Sequence, residues 1–254
     1  MLEARGLSKF YAGIPAVKDV NFRLERGGVL GLLGPNGSGK STTVSMVTTL
    51  IEPTVGQVLL DGVSVSIDLL GYKSRIGYVP EEAHLYTYLT GPEYLEFVGQ
   101  LRGLRRRVLD EKIASFMHIF NLEDDRYAPM SAYSKGMRQK ILISAALLHD
   151  PEIIVLDEPG SGLDVTSSLV LRSLVQQLAA AGKMVIYSSH VLESVEKVAT
   201  DVLILHDSQV VAHDSVYRLR ELMALPSLEQ VFKKVVLAAD VDEVARDLVG
   251  VMKL

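Results

Sequence analysis

A nine-residue loop, Gly34-Pro35-Asn36-Gly37-Ser38-Gly39-Lys40-Ser41-Thr42, constrains this chain more than any other feature. It meets the pattern G-x-x-x-x-G-K-[ST] without a substitution. Before it, Val29-Leu30-Gly31-Leu32-Leu33 is a short apolar run of the kind a buried parallel strand shows. After it, Thr42-Thr43-Val44-Ser45-Met46-Val47 can open a helix. Glycines let the backbone wrap an anion so that successive N–H groups point at phosphate oxygens. The helix that follows adds its positive N-terminal end. In such a loop Lys40 reaches the β- and γ-phosphates and the Ser41 hydroxyl ligates Mg²⁺. Strand, loop and helix thus come in the order that a nucleoside triphosphate site requires.

The whole chain is consistent with that expectation. Its 254 residues suffice for one large domain or two small ones. Hydrophobic residues make up 48% and charged ones 22%, a globular balance. A net charge of −5 gives no general attraction to nucleic acid, so none is expected as a partner. There is no cysteine, which excludes disulfides and thiolate zinc sites and fits a reducing compartment. Met1-Leu2-Glu3-Ala4-Arg5 lacks the apolar core of a secretory signal, and no apolar run approaches the ~18 residues that cross a bilayer. The expectation is a soluble chain.

Strand-like and helix-like patterns alternate, which argues for an α/β sheet with flanking helices. Strand candidates are 29–33, 57–60, 75–79, 153–157, 184–188 and 202–205, the last forming a hairpin with 209–212 through Asp207-Ser208. Strand signals vanish between Thr90 and Asp150. Thr90-Gly91-Pro92-Glu93 reads as a capping box opening a helix to about Leu101. Ile113, Phe116, Met117 and Phe120 recur at helical spacing on a second helix, and a third runs from about Ser134 to Leu148. A mainly helical insert of roughly 60 residues therefore interrupts the α/β core.

A second piece of chemistry lies at Ile153-Ile154-Val155-Leu156-Asp157-Glu158. Four apolar residues ending in a carboxylate describe a buried strand whose tip presents charge at the sheet's C-terminal edge. Asp157 is placed to hold Mg²⁺ and Glu158 to act as general base toward an attacking water. A solvated turn is the simpler reading of Asp-Glu after a strand; the loop at 34–42 favours the functional one.

With three further motifs the chain resembles the ATP-binding subunit of an ATP-binding cassette (ABC) transporter, over about residues 2–236. Tyr133-Ser134-Lys135-Gly136-Met137-Arg138-Gln139 is similar to the family signature, usually Leu-Ser-Gly-Gly-Gln. Pro159-Gly160-Ser161-Gly162-Leu163-Asp164 resembles the D-loop, and Ser188-Ser189-His190 resembles the segment bearing the switch histidine. The resemblance implies a P-loop NTPase (RecA-like) core, an N-terminal antiparallel β subdomain and an inserted α-helical subdomain. It divides the chain into core at about 1–88 and 151–218, insert at about 89–150, and a tail of unknown role at 237–254.

The resemblance also implies ATP and Mg²⁺ as cofactors, Tyr11 as an aromatic stacked on adenine, and His190 as a hydrogen-bond partner of the γ-phosphate. Two ATPase subunits, identical or not, then pair head to tail. Each ATP lies between one Lys40 loop and the other chain's Ser134-Lys135-Gly136. The opening of a helix at Ser134 and Gly136 fits an anion site facing outward, although Ser134 as a plain helix cap is equally sound physically. Asp164 acts across the dimer, or caps the helix 165–181, or both.

Two positions depart from the family. Its usual glutamine after the strand 75–79 is replaced by Glu81-Glu82. A carboxylate can ligate Mg²⁺ but adds negative charge near the γ-phosphate, worth about 4 kcal/mol per opposed charge at ~4 Å and an effective dielectric near 20. Glu81 must therefore sit close to the metal or back from the phosphate. Lys135 for glycine and Met137 for glutamine form the second departure. With Ser227-Leu228-Glu229-Gln230-Val231-Phe232, these variants look like the exporter branch of drug, sodium and polysaccharide transporters.

The function so implied is ATP hydrolysis driving a separate integral-membrane permease, with the chain peripheral on the cytoplasmic face of the cell membrane. An importer ATPase, a soluble ABC ATPase of translation or DNA maintenance, and a barely hydrolytic regulatory module are the alternatives. Leu85, Tyr86, Tyr88 and Leu89 form an apolar cluster suited to a permease helix or to the core. The basic stretch Arg102-Gly103-Leu104-Arg105-Arg106-Arg107 is suited to lipid headgroups or to a solvated loop. In the tail, Val241, Val244, Leu248 and Met252 stand at helical spacing.

Overall fold

A computed structural model describes residues 1–81, 85–161, 163–223 and 227–236. Glu82, Gly162 and the tail at 237–254 lie outside the described residues. The strands are β1 Leu2–Tyr11, β2 Ile14–Leu24, β3 Val29–Leu33, β4 Val55–Leu60, β5 Val63–Ser64, β6 Ile76–Val79, β7 Ile153–Asp157, β8 Met184–Ser189, β9 Asp201–His206 and β10 Gln209–Ser215. The helices are α1 Lys40–Val47, α2 Leu69–Ser74, α3 Gly91–Leu101, α4 Arg106–Ile119, α5 Lys135–Leu147, α6 Val165–Ala180, α7 Leu192–Glu196, α8 Val216–Met223 and α9 Leu228–Val236.

The strands form two sheets. The first is antiparallel, in the order β2-β1-β4-β5. The second runs β10-β9-β3-β8-β7-β6, parallel except for β10, which turns back through Asp207-Ser208. Both turn residues have positive φ, 46° and 65°, as a tight two-residue hairpin requires. β3, β7 and β8 are buried along their whole lengths because both faces of this sheet are covered. Leu30, Leu32, Val155 and Ile186 pack toward α1 and the first sheet. Val29, Leu33, Ile154 and Val185 pack among residues of α5, α6, α7 and α9.

The insert has its own core, built from Leu95 of α3, Leu109, Ile113 and Met117 of α4, and Ile141 and Ala145 of α5. Its first helix opens as the sequence predicts: Thr90 Oγ1 accepts from the Glu93 N–H at 3.3 Å, and Glu93 accepts from the Thr90 N–H at 2.8 Å. α4 ends one residue short of Phe120, which still packs in the same core.

β1 and β2 are the main elements absent from the pattern-based strand candidates. Register shifts interrupt β1 at several points, and its buried side includes Glu3 and Ser8. Glu3 is held by Arg5 at 2.7 Å, and Ser8 Oγ accepts from the Asp19 N–H at 2.9 Å. Such satisfied polar groups break the alternation that would have marked a half-buried strand.

At the edge opposite the glycine loop, Glu152 accepts two hydrogen bonds from Arg75, at 2.7 and 2.9 Å, and one from Arg26 at 2.9 Å. This joins the entries of β6 and β7 to the β2–β3 turn. The Arg75 hydrogen bonds hold the Glu152 carboxyl below its ordinary range. A carboxylate with a lowered folded value stabilises above its unfolded value and loses that effect as pH falls through the lowered one. Glu152→Gln is therefore expected to cost about 1 kcal/mol at neutral pH, after discounting for partial exposure. The difference from wild type in urea melts should close in acid, and a gap independent of pH would contradict this account.

Candidate active site

Every chemically marked segment of the core leaves the sheet at one edge. The glycine loop follows β3, Glu158 follows Asp157 at the end of β7, His190 follows β8, and Pro80-Glu81 follow β6. Across the three central strands Leu32 stands beside Ser188, and Ser188 beside Asp157. Alternation along β7 puts Asp157 on the same face as Ile153 and Val155, the face that packs toward α1 and hence toward Ser41.

The loop itself has no room for side chains where the backbone turns. Gly39, the N-cap of α1, has φ 107°, and a Cβ there would lie 2.6 Å from the Ala16 carbonyl. The Ser38 hydroxyl is buried and has no hydrogen-bond partner. Above the loop lies a cavity of about 360 Å³, lined by Asn36, Gly37, Gly39, Lys40, Ser41, Thr42, Glu81 and Glu158 among others. Lys40, only 6% exposed, donates to the carbonyls of Gly34 at 2.8 Å and Pro35 at 3.3 Å, and lies 4.0 Å from Glu158 Oε1.

Glu158 is also 6% exposed and has φ 46°, a backbone state that side chains other than glycine rarely adopt. That turn aims its carboxylate back over the loop. Glu158 Oε2 is 2.9 Å from His190 Nδ1, and the His190 ring is largely exposed. Burial pushes the Asp157 carboxyl up, opposed by a hydrogen bond from Ser188. Burial also pushes the phenols of Tyr78 and Tyr187 to about 12, with Asp157 beside the first and Glu158 beside the second. Both phenols are therefore neutral beside the carboxylates.

Among the described residues no three His, Cys, Asp or Glu side chains converge as a protein-made metal cage. The Ser41 hydroxyl and the carboxylates of Asp157 and Glu81 nevertheless line one cavity. These few hard oxygen donors suit Mg²⁺, which keeps several waters and takes further oxygens from phosphates. Glu81 is exposed at the rim of both cavities, where water screens its charge.

The remaining sequence candidates lie apart from this cluster. Ser134 caps α5, accepting from the Met137 N–H at 3.2 Å, and a Cβ at Gly136 would meet nothing closer than Leu163 at 3.9 Å. Ser134, Lys135 and Gly136 do not line the cavity above the loop. Lys135 donates to Ser161 Oγ at 2.9 Å, and Gln139 to the Pro159 carbonyl at 3.2 Å, so α5 is tied to the segment after Glu158. Asp164 caps α6, accepting from the N–H and hydroxyl of Ser167 at 2.9 and 2.7 Å. Tyr11 is 53% exposed, with the Lys9 ammonium 5.5 Å from its ring centre.

The apolar cluster at 85–89 divides: Leu85 and Leu89 pack into the core, while Tyr86 and Tyr88 stand exposed. Much of the basic stretch is engaged within the chain. Arg102 donates to the carbonyls of Lys73 and Ile76, Arg106 pairs with Glu96 and Asp110, and Arg107 with Glu111. The links made by Gln139, Ser161 and Ser188 carried no assigned role in the sequence, because a buried serine or glutamine has no pattern of its own.

A glycine loop between a buried strand and a helix, beside a strand tipped with carboxylates, makes this a P-loop nucleotide-binding protein. More particularly, the chain belongs to the ABC transporter family, whose description it matches over residues 17–161. It is 37% identical over 220 residues to the ABC transporter ATP-binding protein NatA of Bacillus subtilis, covering 86% of this chain and 89% of that one. It is 36% identical to the linearmycin resistance ATP-binding protein LnrL of Bacillus subtilis (84% and 68% covered). To the bacitracin transport ATP-binding protein BcrA of Enterococcus faecalis it is 32% identical (87% and 71% covered). A solved ATP-binding subunit of an ABC transporter superposes with a TM-score of 0.86 at 30% identity, over 92% of this chain and 99% of that one. A dimeric bacterial ABC cassette shares the fold at a TM-score of 0.77 and 24% identity, over 85% and 98%. No helix among the described residues is long and apolar enough to cross a membrane.

Proposed function

We propose that this chain hydrolyses ATP at a site shared between two ATPase subunits and so drives an integral-membrane permease, in the direction of export. The observation that carries the reading is the separation of two phosphate-type sites on one chain. The 34–42 loop, Asp157, Glu158 and His190 gather at one place, while Ser134 at the N-terminus of α5 does not line that cavity. A triphosphate held by the loop leaves the second site for a neighbour's nucleotide.

The geometry of the loop and the family resemblance support the following roles. Backbone N–H groups of residues 36–42 cradle the phosphates, and Lys40 exchanges its carbonyl partners for phosphate oxygens. Ser41 and Asp157, with Glu81 at the rim, hold Mg²⁺, which when bound offsets charge on the phosphates. Glu158 accepts the proton of the attacking water, and His190, already 2.9 Å from it, orients both groups toward the γ-phosphate. Tyr11 offers its exposed ring to the adenine, and Ser134, Lys135, Gly136 and Asp164 serve the partner's side of the site.

The permease docks on the insert side, at Tyr94, Val98 and Arg102, of the same cleft of about 610 Å³ that Ser41 and Asp157 line. Glu81 thus touches both the docking cleft and the nucleotide cavity. The names of LnrL and BcrA, which concern resistance and antibiotic transport, support export. The chain then lies at the cytoplasmic face of the membrane.

The test is assembly. Protein carrying Glu158→Gln, saturated with Mg-ATP, should sediment as a dimer, and as a monomer once Mg²⁺ is chelated. A single subunit under both conditions, alone and with its permease, would remove the shared site.

A further inference from the structure

Ser188 has no part in the roles above, yet Asp157 and Glu158 are tied to each other through it. It lies on β8, the strand between β3 and β7, is 0% exposed, and stands in register beside Asp157. Its hydroxyl donates to Asp157 Oδ1 and accepts from the Glu158 N–H at 3.1 Å. Its carbonyl shares that same N–H at 3.2 Å. A serine hydroxyl has one proton to give. With the Glu158 N–H donating from one side, its proton points to the Asp157 carboxyl on the other.

Two consequences follow. One oxygen of Asp157 is committed to Ser188, which leaves the other free to turn toward Ser41 and a metal. The Glu158 N–H is pinned at the residue whose φ of 46° sends the chain out of the strand. The direction of the Glu158 carboxylate, and with it the contact to His190, starts from that anchor. The neighbouring Ser189 points to the opposite face of the strand, where its hydroxyl accepts from the Val191 N–H at 3.0 Å.

We infer that Ser188 is a positioning residue whose buried hydroxyl locks the Asp157 carboxylate and the Glu158 backbone into one geometry, so that metal ligand and base face the nucleotide together. The inference rests on the hydrolytic reading for what that geometry serves. Groups that orient a metal ligand typically change metal affinity or activity by roughly 10–100-fold when removed.

The test uses the full chain and a fluorescent ATP analogue, titrated in EDTA and then against Mg²⁺. Three variants are compared: Ser188→Ala, and the shape-matched pair Ser188→Thr and Ser188→Val, which differ by the hydroxyl. Ala and Val are expected to raise the Mg²⁺ midpoint for nucleotide binding by about tenfold, with affinity in EDTA unchanged. Thr should hold the midpoint near wild type. In saturating Mg²⁺, kcat should fall in Ala and Val while KM stays. Should Ala fail to fold by circular dichroism, the Thr–Val pair decides alone. Mg²⁺ midpoints of Ala and Val indistinguishable from wild type would overturn the inference. Absence of turnover in wild type would strike the hydrolytic reading instead, since the Mg²⁺ midpoint reports on Asp157 without any hydrolysis.

Discussion

Glu158→Gln is expected to retain ATP binding and to lower turnover by roughly 10²–10⁴-fold, the usual contribution of a positioned general base. The substitution keeps size and shape, and the amide oxygen can still meet His190 Nδ1 across the same 2.9 Å. What disappears is the capacity to take a proton. The side chain is buried, so water does not readily take its place as base. Phosphate release from the purified protein, with its permease present, reads the effect. Turnover near wild type would remove Glu158 from the role assigned to it.

Lys40→Ala is expected to weaken ATP binding itself. Lys40 is the cation lining the cavity over the loop, among the described residues. Its charge-assisted contacts to phosphate should contribute about 3 kcal/mol, on the order of 10²-fold in Kd. Folding should survive, because the carbonyls of Gly34 and Pro35 that Lys40 now holds lie beside an open cavity and can turn to water. Calorimetric titration with Mg-ATP separates this from a catalytic effect. An unchanged Kd would show that Lys40 does not hold the phosphates.

The contrast between these positions and Ser188 shows what was legible in the sequence. The strands at 29–33 and 153–157 could be read to the residue, because full burial on both faces leaves only apolar side chains until a turn or a charge ends the run. The caps at Thr90, Ser134 and Asp164 were equally legible, since a helix start has a local chemical signature. β1 and β2 escaped a reading from pattern: Glu3 and Ser8 are buried there with partners that no local spacing reveals. The N-terminal sheet was expected only through the family resemblance. Lys135 shows the limit from the other side. Within the chain its ammonium meets Ser161, a contact 26 positions away that only tertiary structure creates.

That contact, with Gln139 on Pro159, carries a mechanical consequence. The helix that fronts the insert is fastened to the stretch leading away from Glu158, not merely stacked near it. A swivel of the insert therefore drags this stretch along, much as a handle moves a latch. Force applied at the insert's outer surface would be passed through these two contacts to the stretch after Glu158.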